Sequence, residues 1–150
     1  MVTWHAGAVP PDIPIMQVYG FLFTSDGRVL LFKDGDNYSL PGGHPELFDN
    51  GIEGTLRREV IEEVNVLIDT PVIVGYRYID SEYAQVRMAA MIKEIGPVQP
   101  DPATGRTYER YFVSPEKAIE LLNWQDDGEV QVKSAVELMR SLYGLCNVLR

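Results

Sequence analysis

The sequence predicts an α/β fold, and three features predict that class: β-rich runs separated by turn signals, a central segment whose apolar residues recur at i+4 steps, and an amphipathic C-terminal stretch. The chain has 150 residues, 45% hydrophobic and 23% charged, which suits a single domain, residues 1–150, with a sizeable core. No apolar run approaches the roughly 18 residues of a membrane-spanning helix. The opening MVTWHAGAVPPDIP lacks a basic stretch followed by an apolar core. A cytosolic (cytoplasmic) protein with no membrane partner is expected. The lone cysteine, Cys146, excludes an internal disulfide and a cysteine-based metal cluster and reads as a buried or half-buried apolar side chain.

After a Pro-rich lead-in, residues 13–24 and 28–32 are two β-rich runs joined by Ser25-Asp26-Gly27, a hairpin signal. Residues 38–40 make a third short strand that stops at Pro41-Gly42-Gly43, where proline cannot extend a ladder. The loop HPELFDNG leads to a helix over residues 52–64. There Leu56, Val60 and Val64, with Ile61 beside them, form a stripe for packing on a sheet. Asp49 or Asn50 suits its N-cap, and Asn65 suits a left-handed C-cap. Residues 72–79 and 84–95 read as a second hairpin around Asp80-Ser81-Glu82, and 96–107 is a Pro/Gly-rich loop facing either substrate or solvent. Residues 108–113 form a last strand. Ser114-Pro115-Glu116 starts a short helix, and 129–143 a longer one whose apolar strip fits a core contact or a homodimer.

Lys and Arg total 13 against 22 Asp and Glu, a formal charge of −9 that disfavours a duplex nucleic acid partner. It does not disfavour a small phosphorylated substrate, because a divalent cation held by carboxylates inverts the local charge. In RREVIEEVNV, residues 57–66, helical spacing puts Glu59, Glu62 and Glu63 on one face. Two unit charges about 4 Å apart repel by roughly 4 kcal/mol at an effective dielectric of about 20. Such a face is either solvated surface or a site for cations. Magnesium, or manganese in its place, is the ion that suits oxygen ligands shared with substrate phosphates.

Residues 43–66 resemble the signature of the Nudix hydrolases (MutT-like), whose core reads Arg-Glu-apolar-any-Glu-Glu-any-Gly-apolar after a loop Gly and Glu. Arg58, Glu59, Val60, Glu62, Glu63 and Val66 stand in that register. The resemblance implies a Nudix-type α/β/α sandwich with a mixed β-sheet and a catalytic loop-helix-loop. It also implies Glu59, Glu62, Glu63 and the Gly43 carbonyl as metal ligands, with Arg58 bracing the carboxylates. The chain departs from the pattern in its loop, which is one residue longer. Counting back from Arg58 puts Asn50 at the first Glu and His44 at the first Gly. Gly43 and Asp49 can supply those roles if the insertion is absorbed after Asp49. Asn65 replaces the second Gly, a change its C-cap role tolerates.

The chemistry implied is hydrolysis of a phosphoanhydride in a nucleoside diphosphate linked to another group, such as a nucleotide sugar, ADP-ribose or a nucleoside triphosphate. The metal neutralises the diphosphate and lowers the pKa of an attacking water. General-base candidates are Glu62 or Glu63, then Glu109 and Asp101. Tyr19, Tyr38, Tyr76, Tyr78 and Trp124 are either base-stacking or core aromatics, and Arg28, Arg77, Arg87 and Arg106 either phosphate contacts or solvated charges. His5 and His44 are too isolated to read as ligands. The competing reading is a catalytically weak nucleotide-sensing module, favoured by Asn50 and His44 and opposed by the three retained glutamates. A purely structural acidic domain has no specific support.

Overall fold

The computed structural model describes residues 1–124 and 127–145, so the expectation for Cys146 lies outside the described residues. The chain opens with β1 (Val2–Ala6), crosses the proline-rich segment and enters β2 (Ile15–Phe23), which turns back as β3 (Val29–Asp34) and then β4 (Asn37–Ser39). β5 (Gly42–Gly43) precedes a 3-10 turn over Leu47–Asp49 and the central helix α1 (Gly51–Val64). β6 (Val66–Ile68), β7 (Val72–Ile79), β8 (Tyr83–Ile95) and β9 (Glu109–Val113) complete the strands, and α2 (Pro115–Leu122) and α3 (Gly128–Tyr143) follow.

The sheet is mixed, because β2 runs antiparallel to β3 but parallel to β8 over most of its length. Its order is β1-β7-β8-β2-β3-β4, with β5 on β2, β6 on β8 and β9 on β3. Alternation sorts β2 between two cores. Val18 and Leu22 face α1 with Leu56, Val60 and Val64, while Phe21 and Phe23 face α2 and α3 with Ala118, Val132, Val136 and Met139. Each of the Val, Leu, Phe and Met side chains among them contributes about 1.5–3 kcal/mol by burial. The apolar strip of α3 is therefore chiefly a core contact. The result is an α/β/α sandwich.

Several expectations are corrected in detail. β1 replaces part of the irregular lead-in, pairing with β7 from Val2↔Ile79 to Ala6↔Gly75. The chain does not leave the sheet at Pro41, since Gly42 and Gly43 pair with Tyr19 and Val18. Ile61 is 40% exposed, because one residue past Val60 turns about 100° off the stripe. Asn50 holds the N-cap position of α1 in a left-handed conformation, φ 60°, with no side-chain cap bond. At the other end Asn65 has φ 49° and its N–H donates to the Ile61 carbonyl at 3.1 Å, the left-handed cap that asparagine tolerates. Ser114 caps α2 by accepting from the Lys117 N–H at 3.1 Å.

Candidate metal centre

α1 presents Arg58, Glu59, Glu62 and Glu63 toward the loop that precedes it, and Arg58 ties the two together. Its Nε and Nη2 donate to the Asp49 carboxylate at 2.6 and 3.0 Å. Nη1 donates to Glu59 at 2.8 Å and reaches Glu62 at 3.4 Å, and Nη2 also donates to the His44 carbonyl at 2.9 Å. The fork-on-carboxylate geometry suits arginine alone among the cations. Asp49, buried, accepts from the Thr55 hydroxyl and the Glu46 N–H as well, both at 2.8 Å. These bonds, Arg58's foremost, hold its carboxyl far below the usual range, and Asp49 in turn raises Arg58. Asp49, rather than Asn50, thus meets Arg58. The extra loop residue falls after it, where Asn50 (φ 60°) and Gly51 (φ 88°) both take positive φ.

The remaining carboxylates are crowded and poorly solvated. Burial pushes Glu63 up to about 8, and Glu59, Asp101 and Glu62 add to the effect, although the Gly42 N–H donates to it at 2.8 Å. Glu59 is also raised, first by burial, then by Glu62 and Asp101, with Arg58 opposing. Gly43 permits the crowding, since a Cβ there would lie 2.7 Å from the Glu59 carboxyl carbon. Asp101, buried in the loop 96–107, completes the negative patch. Glu109 is not brought to it. Tyr108 and Phe112 pack on the α1 side of β9, so alternation turns Glu109 to the opposite face, where it accepts from the Tyr111 hydroxyl at 2.5 Å.

Whether these residues fit a divalent cation is a question of donor chemistry. No group of three acidic, histidine or cysteine side chains among the described residues forms a ready-made cage. Two raised carboxyls beside Gly43, with Glu62 and Asp101 adjoining, nonetheless make a surplus of oxygen donors over cations. That set fits a hard divalent cation that takes oxygen ligands and completes its shell with water and substrate phosphates rather than demanding a closed protein cage. Burying so many carboxylates without a counter-cation is costly.

The other residues singled out from the sequence separate into two groups. Tyr76 is core, stacked on His5 at 5.1 Å. Tyr38 packs edge-on against Tyr111, and Tyr78 donates to the Ser81 carbonyl. Arg28 is paired with Asp26, and Arg106 with Asp34 at 2.8 Å. Tyr19, Arg77, Arg87 and Trp124, in contrast, share one cavity of about 210 Å³. Sequence reading missed Gln131 and Gln85 in that neighbourhood. Gln131, a fully buried amide inside an apolar helical stripe, was the available signal.

Comparison with known proteins agrees with the architecture. No curated protein matches the sequence significantly. The fold resembles the pyrophosphohydrolase BsRppH of Bacillus subtilis, a mutant form, with TM-score 0.69 at 17% identity over 95% of this chain and 92% of that one. It also resembles MutT, from a study of the Aliivibrio salmonicida and Vibrio cholerae proteins, with TM-score 0.61 at 17% identity over 81% and 94%. A UDP-X diphosphatase aligns with TM-score 0.60 at 13% identity over 89% of this chain and 66% of its own. At these identities the likeness concerns the fold. The NUDIX domain family model, however, matches residues 14–134, most of the sequence, including the whole of α1 and its loop. The chain belongs to the Nudix hydrolase family.

Proposed function

We propose that this protein is a magnesium-dependent pyrophosphohydrolase acting on a nucleoside diphosphate linked to another group. The observation that carries the reading is the Glu59, Glu62, Glu63 face, desolvated and crowded yet braced by Arg58 and Asp49. Magnesium, held by Glu59, Glu63 and the Gly43 carbonyl, with Glu62 directly or through water, would offset the diphosphate charge and acidify an attacking water.

The chain's own groups then have separable roles. Arg58 fixes the rotamer of Glu59 and keeps the loop against α1. The Gly42 N–H orients Glu63. Among the described residues Glu62 is held only by the 3.4 Å contact to Arg58, which leaves it the freest of the three to take a proton from water. Asp101 supplies further negative charge from the loop, and Glu109, on the opposite face of β9, is assigned no proton transfer. The sensing alternative leaned on Asn50 and His44. Asp49 supplying the carboxylate to Arg58 removes much of that support.

The test is phosphate release, with a coupling phosphatase where needed, from nucleotide sugars, ADP-ribose, dinucleoside polyphosphates and nucleoside triphosphates. Magnesium-dependent turnover of one class, abolished by EDTA, is the expected result. Binding seen as a thermal shift with no turnover of any class would favour the sensing module.

A further inference from the structure

On the face of the sheet opposite α1, β7, β8 and β2 bring Arg77, Gln85, Arg87 and Tyr19 into register. Arg77 pairs with Gln85, and Arg87 with Tyr19. With Trp124 and Ser39 they line the cavity of about 210 Å³. Arg87 is 3% exposed. Its guanidinium lies 4.9 Å from the Tyr19 ring centroid and 5.1 Å from that of Trp124, and Nε donates to Gln131 at 2.9 Å.

The hydrogen-bond inventory of this cavity is lopsided. Gln131 spends its carbonyl oxygen on Arg87 and its amide N–H on Asp127 at 2.7 Å. The Gln85 carbonyl faces Arg77 Nη1 at 3.5 Å. Among the described residues, Arg87 Nη1 and Arg77 Nε are buried and have no hydrogen-bond partner, and Arg77 Nε stands 3.6 Å from Asp127, beyond good hydrogen-bond reach. Among the described residues the two guanidiniums therefore share one carboxylate, Asp127, that is already engaged by Gln131. Burial and the neighbouring Arg77 charge lower Arg87 to about 10, as expected for an under-neutralised cation. A neutral occupant would leave that charge unmatched, and an anionic one would pair it.

The cavity adjoins the carboxylate site through one wall. Tyr19 lines the cavity, pairs through its backbone with Gly42, and feels both Arg87 on one side and Glu63 and Glu59 on the other. Ser39 and Leu40 line it too, just ahead of the Gly42 N–H that holds Glu63. Tyr19 is thus common to the two sites.

We infer that the cavity at Arg77 and Arg87 receives a second anionic group of the substrate, beyond the diphosphate, so that the preferred substrate carries an additional carboxylate or phosphate. This rests on the reading of the carboxylate face as the site that holds the diphosphate. The two guanidiniums act as specificity determinants, with Arg87 held rigid between Tyr19 and Trp124 and Arg77 completing the pair.

The experiment is equilibrium binding by calorimetry, with calcium in place of magnesium to offset the diphosphate charge, of two matched pairs: UDP-glucuronate against UDP-glucose, and the 2′-phosphate of ADP-ribose against ADP-ribose. The first pair isolates a carboxylate and the second an extra phosphate. In one pair the member with the extra anionic group should bind about tenfold or more tighter, the scale of hydrogen bonds to a charged group. Arg77→Gln should erase that ratio by weakening the member that carries the extra anionic group. Arg87→Lys, which keeps charge but loses the fork, should reduce the ratio without unfolding the chain, as followed by a thermal melt. Equal affinity within both pairs, or a ratio that survives Arg77→Gln, overturns the inference. Discrimination in binding without magnesium-dependent turnover would leave this pocket standing and remove the hydrolase reading. Turnover without discrimination would do the reverse.

Discussion

At the scale of single residues, Asp49 decides whether the loop departs from the family pattern in function or only in spelling. Its carboxylate is buried and accepts from Arg58, Thr55 and the Glu46 N–H. Breaking a buried pair from one side typically costs about 3–5 kcal/mol, so Asp49→Asn is expected to destabilise the fold by about 3 kcal/mol and to lower turnover by loosening Arg58. The pH dependence follows from sign. The folded pKa lies below the ordinary 3.8, so the stabilisation is complete above that value and is lost as pH falls below it. Melts between pH 7 and pH 3 should show wild-type stability falling at the acid end, with that component absent in Asp49→Asn. Asp49 was legible as one of two options from counting along the loop. Its bonds to Thr55 and Glu46 were not, because nothing in local spacing marks which side chain is drawn inward.

At the scale of elements, α1 was the most legible part of the chain. Its i+4 apolar stripe, its acidic face and its terminal asparagine all point the same way, and the helix ends at Val64 as the asparagine requires. Asn65→Ala keeps the helix sequence intact but places an alanine at φ 49° and removes the donor to the Pro97 carbonyl. A loss of about 1–2 kcal/mol is expected, read from denaturant unfolding, with magnesium-dependent activity otherwise retained. Short elements were illegible for physical reasons. β5 is two glycines with no strand propensity, and β1 is an exposed edge whose pairing depends on β7, far away in sequence. The N-cap reading failed in mechanism, since Asn50 serves through its backbone conformation rather than its side chain.

At the scale of the whole molecule, the sequence revealed the fold class and the chemical face but not the second cavity. α1 and the acids lie on one side of the sheet, α2 and α3 on the other, and β2 takes part in both. The carboxylate cluster sits within one helix and could be read from spacing. The arginine cavity draws on β7, β8 and α3, and its key contact, Arg87 to Gln131, spans 44 residues, so only tertiary structure assembles it. A net charge of −9 also hides the fact that a buried Arg87 and a partly buried Arg77 stand together in one pocket. Averages over a chain do not describe a site. The charge surplus on α1 carries a further whole-molecule consequence: an ion that binds the folded state alone raises stability, by about 2.7 kcal/mol at a hundred times its Kd.

That consequence and the chemistry meet in one measurement, magnesium-dependent turnover of the best substrate by wild type and Glu59→Gln, with the melting temperature of each recorded with and without magnesium. The account predicts that Glu59→Gln folds at least as well as wild type in EDTA, gains little from magnesium and loses turnover by about 100-fold. A Glu59→Gln protein that turns over like wild type, with the same magnesium dependence, would contradict it.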